Sequence, residues 1–532
     1  MFKLTNEEKN FHINFSPFYA VVAIMLLMFW ANKIQSQEIE EVVVIGAQVY
    51  ESESDPSVDI NVLETIMPAA TVSGGYGSFM GYNERGTQTV HTTIFRNGVP
   101  ANDAGSGWYD FGHDFATGNE KVKIVNGPNS VLYGSGSLGG TVFITDDLKD
   151  GSVIRAGSST FVSHTSNGIN LSYFDADNDS VRTDNDEKDS YNNISIKGQK
   201  EFGDWKVNVS GTTYEYDYDN CYTASFSQTN DCVQSGNKGT LSVRNDNYTF
   251  GYTFNDAEYE TQGVQTFKSD AERAYIDTRH QVGSTLLGAT VEYEKYSDFD
   301  QNQLSVYSLT NFNTFDVGFR LSEDAFVYRI GHEQGNWFSS FGTSYRNPTL
   351  YELNGDSWTQ PNPTLDPEEA IGYEIGYKRL TLFKYKFSEG IDYSFTDSQF
   401  VNTGSYDTQG IRYGNTYQIE RLNTTNVGLM LGYTDSDQPR IPKYKVVVST
   451  VTDLGGYDIS FRYTGLFDRE PGAYDGSEML DDVSSLDYKI EKAFPNYLLS
   501  FTIRDILDDE FEMLPNYRAG GLEYFLTLQY RP

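Results

Sequence analysis

The sequence predicts an all-β transmembrane fold, an antiparallel β-barrel of about 22 strands that follows a smaller N-terminal region. From about residue 160 onward, apolar and polar residues alternate strand after strand, as at Tyr524, Leu526 and Leu528 near the end. Aromatic residues make up 15% of the chain, with 39 Tyr and 34 Phe, which suits the aromatic girdles of a barrel. Composition alone would also fit a soluble all-β secreted protein. Roughly 380 residues at about 17 per strand and turn give too many strands for one β-sandwich. Closure of the sheet into a barrel removes the exposed edge strands.

The first 36 residues predict a secretory signal peptide. The apolar stretch of residues 18–31 is shorter than the roughly 20 residues that a membrane helix needs. Lys3 and Lys9 precede it, and residues 34–36 (IQS) form an acceptable cleavage site. The alternative is a retained anchor helix.

Charge and hydropathy exclude two classes of protein. The net charge of −36 leaves no basic stripe to neutralise phosphates, so nucleic-acid binding is not expected. The mean hydropathy of −0.50 is too polar for a helical membrane protein.

Cys221 and Cys232 lie close together in an exported chain, which predicts a disulfide that closes one loop. A metal site at these cysteines is the less favoured alternative, because no His lies nearby.

Residues 37–150 differ from the array that follows, with more Gly and less regular alternation. Residues 40–46 (EEVVVIG) form a β-branched run in a terminal segment, suited to pair with the sheet edge of a partner. Such a run is equally common in an ordinary strand. Further along lie residues 84–86 (ERG), 94–100 (IFRNGVP) and 125–145 (VNGPNSVLYGSGSLGGTVFIT), whose glycines permit tight turns.

These segments resemble the TonB-dependent outer-membrane receptors, nearest to the compact vitamin B12 (cobalamin) receptor branch. Residues 344–353, 362–368, 373–376 and 503–511 resemble loop and strand segments of the same family. The resemblance implies that residues 37–150 hold the TonB box and an α+β plug domain in the lumen of a barrel formed by residues 151–532. The implied TonB box is Glu41, Val42, Val43, Val44 and Ile45. The implied plug motif is Arg85, Gly86, Gly98, Gly127, Pro128, Tyr133, Gly134, Gly139 and Gly140.

The resemblance also implies a function. It indicates a receptor in the Gram-negative outer membrane for active uptake of a scarce bulky nutrient, cobalamin or a ferric siderophore. Its partners would be a TonB-type periplasmic energy-coupling protein, a small-molecule substrate and the outer-membrane lipid. Two departures favour an alternative, a passive channel or binding protein that has lost energy coupling. Asn126 stands where the family usually has Arg, and the spacing from the TonB box to Arg85 is short.

Residues 134–139 (GSGSLG) satisfy the dinucleotide pattern GxGxxG, but a strand-like run follows them instead of a helix. Neither HExxH nor GxSxG is found at these loops, so no enzyme is expected.

An acidic segment resembles the Asp-rich calcium loops of the cobalamin branch, and clustered carboxylates can supply the oxygen ligands that calcium takes. Its candidate ligands are Asp175, Asp177, Asp179, Asp184 and Asp186. The alternative is a solvated acidic loop, and no cofactor is required.

Overall fold

The computed structural model describes residues 45–66, 70–72, 76–83, 85–179, 188–219, 221–222, 228–419, 425–472, 479–508, 511–514, 517–519 and 521–532. Two parts make up this chain: a closed antiparallel barrel of 22 strands, and a small mixed domain before it. The predicted fold class is confirmed. The predicted signal peptide lies outside the described residues. None of the helices in the described part is long and apolar enough to cross a bilayer.

The N-terminal domain, here called the plug, is built on a five-stranded sheet of order β1-β6-β7-β4-β5. Its β4 and β7 run parallel, whereas its other neighbours are antiparallel. A hairpin of β2 and β3 lies apart from this sheet. The plug strands are β1 (Val49–Glu53), β2 (Ala70–Val72), β3 (Met80–Tyr82), β4 (Thr92–Arg96), β5 (Val99–Pro100), β6 (Glu120–Asn126) and β7 (Gly140–Asp146). Its helical turns are Val62–Ile66, Thr89–His91, Phe111–His113 and Ser130–Tyr133.

The first barrel strand begins at Gly151, and the last, β35, pairs with β8 to close the barrel. The first eleven barrel strands are β8 (Gly151–Gly157), β9 (Ser159–Ser166), β10 (Ile169–Asp179), β11 (Lys188–Phe202), β12 (Trp205–Tyr218), β15 (Cys232–Arg244), β16 (Tyr248–Thr261), β17 (Val264–Val282), β18 (Thr285–Tyr296), β19 (Phe299–Phe312) and β20 (Phe315–Ser322). The other eleven are β21 (Phe326–Gln334), β22 (Trp337–Arg346), β23 (Glu368–Tyr377), β24 (Leu380–Ser388), β27 (Tyr406–Ile419), β28 (Thr425–Ser436), β29 (Pro442–Asp453), β30 (Asp458–Arg469), β31 (Val483–Ala493), β32 (Tyr497–Arg504) and β35 (Glu523–Tyr530).

The two ends of the barrel differ. Short turns join the strands at one end, as at Asn313, which has a positive φ of 68° between β19 and β20. Longer loops occupy the other end. They carry a helical turn (Leu350–Asn354) and the hairpins of β13 (Cys221–Tyr222) with β14 (Gln228–Thr229), β25 (Ile391–Ser394) with β26 (Gln399–Asn402), and β33 (Phe511–Leu514) with β34 (Tyr517–Ala519). In outer-membrane barrels the long loops face outward from the cell.

Apolar side chains cover the outside of the barrel, and polar ones line the lumen. On β35, Leu526 is 54% exposed, whereas the neighbouring Thr527 is fully buried against the lumen. A soluble protein would bury the leucine, so this inversion is what a lipid-facing surface requires. The period-two pattern of the sequence arises because successive residues face lipid and lumen in turn.

The plug fills the lumen unevenly. Its own core holds buried apolar side chains, among them Val62, Phe111 and Val142. Every lumen-facing side chain of β23 is buried, whereas those of β29, such as Lys445 and Ser449, are only half-buried. The plug therefore contacts one wall of the barrel more closely than the wall formed by β27 to β31.

Candidate functional site

A cavity of about 510 Å³ lies between the plug and the long-loop end of the barrel. Plug residues such as Phe79 and Trp108 form one side, and strand residues such as Tyr214 and Tyr259 form the other. Its volume falls in the range of small-molecule sites. It opens on the side that faces outward in this class of barrel, so it can receive a ligand from outside the cell.

Lys238 of β15 supplies a cation to this cavity. Its Nζ donates to the carbonyl oxygen of Asp110 at 3.0 Å and lies 5.2 Å from the ring centre of Tyr109. No ion pair to Lys238 occurs among the residues that the structure describes. The other two cations of the lining, Arg96 and Lys197, are paired with buried carboxylates. Among the cations of the lining, Lys238 is therefore the one without an ion pair in the described residues, although the carboxylates of Asp110 and Asp114 act on its charge.

His113 closes the floor of the cavity. Its ring stacks on Tyr214 with 3.6 Å between the ring centres, and its Nδ1 lies 2.8 Å from the Tyr191 hydroxyl. Burial, and then the charge of Lys238, hold the pKa of His113 well below its usual value. His113 is therefore neutral, and it adds aromatic surface to the cavity without adding charge.

Aromatic side chains give the cavity a second kind of contact surface, beside its cation. Phe79 and Trp108 of the plug lie 5.2 Å apart, and Trp108 is 48% exposed. Across the cavity, Tyr259 lies 5.6 Å from Phe267. Exposed aromatic rings beside a cation suit a ligand that is both flat and anionic.

Arg85 joins the plug to the barrel. Its guanidinium pairs with Glu374 of β23 and donates to the Tyr385 hydroxyl. A further bond reaches Gln48 at 3.0 Å, and the guanidinium lies 4.9 Å from the ring centre of Phe383. Both members of the ion pair are buried, so the contact holds only while the plug is docked.

Asn126, the predicted departure from the family, directly precedes Gly127, where an added Cβ would come within 2.5 Å of Glu374. Its side chain is buried, and neither its Nδ2 nor its Oδ1 has a hydrogen-bond partner among the described residues. The Oε2 of Glu374 also lacks one. Within the described residues, one oxygen of the buried Glu374 carboxylate is therefore left without a hydrogen bond.

The predicted plug-motif residues gather at the contact between plug and barrel. Gly127 has a φ of +88°, and a Cβ there would come within 2.5 Å of Glu374. Gly139 lies so close to Thr87 that a Cβ would meet its hydroxyl at 2.5 Å. Tyr133 ends the helical turn and packs edge-on against Phe143 at 5.0 Å. These glycines permit close approach of the chain, as the sequence predicted for the segment. A strand, β7, follows residues 134–139, so the dinucleotide arrangement is absent here.

The remaining motif positions lie nearby. The carbonyl oxygen of Gly86 accepts a hydrogen bond from the barrel residue Ser436 at 2.9 Å. Gly98 forms the turn between β4 and β5, and Gly134 caps the helical turn with a φ of 79°. Gly140 begins β7, and Pro128 lies against Gly372 of the barrel.

Ile45, the last residue of the predicted TonB box, is held by the barrel. Its N–H donates to Asp316 at 2.8 Å, and its carbonyl oxygen accepts from Arg329 at 2.5 Å. Asp316 and Arg329 themselves form a buried ion pair. Glu41, Val42, Val43 and Val44 lie outside the described residues. The start of the described chain is therefore fastened to β20 and β21.

The structure gives no support for the predicted calcium ligands. Asp175 and Asp177 are exposed on the outward face of β10, the side chain of Asp179 is not described, and Asp184 and Asp186 lie outside the described residues. In the described ranges, no three acidic, His or Cys side chains are grouped as metal ligands. Calcium binding stays a prediction. Cys221 and Cys232 are joined by a disulfide in the long-loop region.

Sequence reasoning did not single out Lys238, Asp316 or the role of Glu374, although Glu374 lies in segment 373–376, which was named for its resemblance. Each faces the lumen from a strand of alternating pattern, and the same pattern is shared by many lumen residues without such contacts. The only signal available in the sequence was a charged residue on the polar face of a strand. Lys238, for example, alternates along β15 with Asn237 and Gly239. Their partners are distant along the chain, for example 289 residues for Arg85 and Glu374.

A family model described as "TonB dependent receptor-like, beta-barrel" matches residues 72–505, which is most of the chain.

Solved structures of similar fold cover nearly the whole chain. The siderophore receptor PirA from Acinetobacter baumannii has a TM-score of 0.67 at 13% identity, covering 92% of this chain and 100% of its own. The ferric enterobactin receptor PfeA from Pseudomonas aeruginosa, as a mutant, has a TM-score of 0.69 at 13% identity, with the same coverage. The siderophore receptor PiuA from A. baumannii has a TM-score of 0.66 at 14% identity, covering 91% of this chain and 96% of its own. At these identities the likeness concerns the fold.

Proposed function

Because this chain belongs to the TonB-dependent receptor family, a family of outer-membrane β-barrels, we propose that it binds a ferric siderophore at the outer face of its plug and imports it. Binding would take place in the 510 Å³ cavity, and import would follow when a TonB-type partner displaces the plug. The proposed cycle requires no covalent chemistry from any residue. The three similar structures named above are siderophore receptors, which supports this choice over cobalamin.

Lys238 is the observation that carries the proposal. An iron chelate of the catecholate type is anionic and presents flat aromatic rings. The ammonium group of Lys238 would attract its charge, and Trp108 and Tyr259 would contact its rings.

Coupling to a partner would act through the segment that ends at Ile45. A pull on residues 41–44 reaches Ile45 first, and it must break the bonds to Asp316 and Arg329 before the plug moves. These bonds would keep the segment in place until tension is applied. The proposed partner is therefore a periplasmic protein that pairs with an extended strand.

A binding measurement tests the substrate. Purified protein is titrated with ferric enterobactin and with cobalamin, with and without calcium, and binding is followed by quenching of tryptophan fluorescence, since Trp108 lines the cavity. We expect the chelate to bind and cobalamin not to bind. Lys238→Gln should weaken chelate binding by about tenfold or more, the loss of one charge-assisted contact. Lys200→Gln, at an exposed position on β11, should bind as the wild type does. Cobalamin binding without chelate binding would reverse the assignment.

A second measurement tests coupling. Deletion of residues 41–46 should abolish energised uptake of the chelate by cells while its binding to those cells persists. Uptake that survives the deletion contradicts the coupling mechanism. A steady ionic conductance of the purified protein in a planar bilayer, without any energy source, would instead identify a passive channel.

A further inference from the structure

Two cations face each other in the lumen, well away from the outer cavity. Arg412 of β27 pairs in register with Gly432 of β28, and Gly432 pairs with Lys445 of β29. Residues directly opposite one another in antiparallel strands share a face of the sheet. Arg412 lies 4.7 Å from the ring centre of Tyr50 in the plug, so that shared face is the lumen. Gly432 has no side chain to separate the two cations.

Lys445 has no counter-ion among the described residues. No hydrogen bond or ion pair to its ammonium group occurs among the residues that the structure describes, although Arg412 is close enough to act on its charge. Lys445 is half-buried, so part of its side chain stays accessible from the lumen. Lys445, which has no counter-ion among the described residues and shares its face with a second cation, is suited to attract an anion into this partly desolvated place.

Tyr50 adds a donor to the same place. Its hydroxyl is buried and has no hydrogen-bond partner in the described part of the chain. A buried polar group without a partner is uncommon, and it often marks the place of an unseen ligand or water. The guanidinium, the ammonium and the phenol are all donors, and together they suit an oxyanion.

We propose that Arg412, Lys445 and the hydroxyl of Tyr50 form an anion-binding site in the lumen, between β1 of the plug and the β27–β29 wall. The group that it takes is an oxyanion such as a carboxylate, a phenolate or phosphate. It could belong to a free anion or to a cargo in transit. The role in transit rests on the siderophore import proposed above, whereas the site itself does not.

A crystallographic experiment locates the anion without any variant. Crystals of the full-length protein are soaked in sodium bromide, and data are collected at the bromine absorption edge. We expect an anomalous peak between Lys445 Nζ and the Arg412 guanidinium, within about 4 Å of both. A map with bromide peaks elsewhere and none at this place overturns the proposal.

A solution experiment tests the residues. The line width of the chloride-35 magnetic resonance signal reports chloride on the purified protein, and inorganic phosphate is titrated in as the competitor. Lys445→Met should weaken phosphate competition by at least tenfold, and Tyr50→Phe by about fivefold, the loss of one hydrogen bond. Lys443→Met is the matched control, because Lys443 shares the strand and the face but already lies 3.8 Å from Asp468. Equal competition in Lys445→Met and Lys443→Met overturns the proposal.

Uptake separates the two sources of the anion. If Lys445→Met loses phosphate binding but imports ferric enterobactin at the wild-type rate, the site holds a free anion. If import slows by about fivefold while binding at the cell surface is unchanged, the site takes the anionic groups of the cargo. Failure of the chelate to bind at Lys238 would refute the proposed substrate and leave the phosphate result standing.

Discussion

The buried ion pair between plug and barrel sets how firmly the plug is docked. The side chains of Arg85 and Glu374 are 1% and 0% exposed. Removing one partner of such a pair leaves an uncompensated buried charge and costs about 3–5 kcal/mol. In Glu374→Gln the amide keeps the shape and can still accept from Tyr385, so we expect a cost near the lower figure, about 3 kcal/mol.

Because Arg85 belongs to the plug and Glu374 to the barrel, this cost falls on the docked state of the plug. A change of about 3 kcal/mol raises the population of the undocked state by roughly 150-fold, since about 1.4 kcal/mol corresponds to a factor of ten. Hydrogen exchange with mass spectrometry measures the population of the undocked state directly. Peptides from β6 and β7 should lose protection by a factor of that order.

The matched control is Glu369→Gln, on the same strand as Glu374 but exposed on the outward face. It should leave the exchange of β6 and β7 unchanged. A folded Glu374→Gln barrel whose plug exchanges within about threefold of the wild type would refute the assignment of the ion pair as a docking contact.

Three further substitutions test other contacts of the plug. Asn126→Arg places a cation near the unpaired oxygen of Glu374 and should stabilise docking by about 1.5–3 kcal/mol; unchanged or lower protection of β6 contradicts this. Burial raises the pKa of Asp59 to about 7 from 3.8, so the folded plug binds this proton more tightly and loses up to about 4 kcal/mol as the pH rises from 4 to 8. Asp59→Asn should remove that slope from plug exchange measured across the range, and an unchanged slope rules the residue out. Asp316→Ala leaves the N–H of Ile45 without its acceptor, so amide exchange at the N-terminal segment should rise about tenfold; equal exchange shows that the bond does not hold the segment.

Much of the barrel was predictable because lipid and lumen impose opposite demands on alternate residues. Along β12, Asn208 is buried toward the lumen and Val209 is exposed, as the sequence pattern predicts. The pattern needs no knowledge of distant contacts, since each strand repeats it independently. The number of strands followed from the length of the array for the same reason.

The period-two alternation also applies to the acidic segment on β10. Asp175 and Asp177 are in phase with Leu171 and Tyr173, which face outward on β10. Period-two phase therefore places both carboxylates on the outside of the barrel. Calcium binding by this segment stays a prediction, because Asp184 and Asp186 lie outside the described residues.

The site itself was less predictable. The plug glycines could be recognised because a missing side chain is visible in sequence, as at Gly127. The contacts that they permit could not, because Glu374 and Asp316 are brought to the plug by closure of the barrel. Ile45 and Asp316 are 271 residues apart, and no local pattern relates them.

The order of the plug sheet decides which part of it gives way first. β1 lies at the edge of that sheet, is paired among the described residues with β6 alone through five residue pairs, and begins four residues after Ile45. Only Tyr50 of β1 packs against the plug core among the described residues. Tension at the N-terminus can therefore detach β1 and leave a four-stranded sheet behind. The work of opening is then the work of detaching one edge strand, and the remaining domain serves as the template on which that strand re-forms. The space that the strand leaves adjoins Arg412 of the barrel.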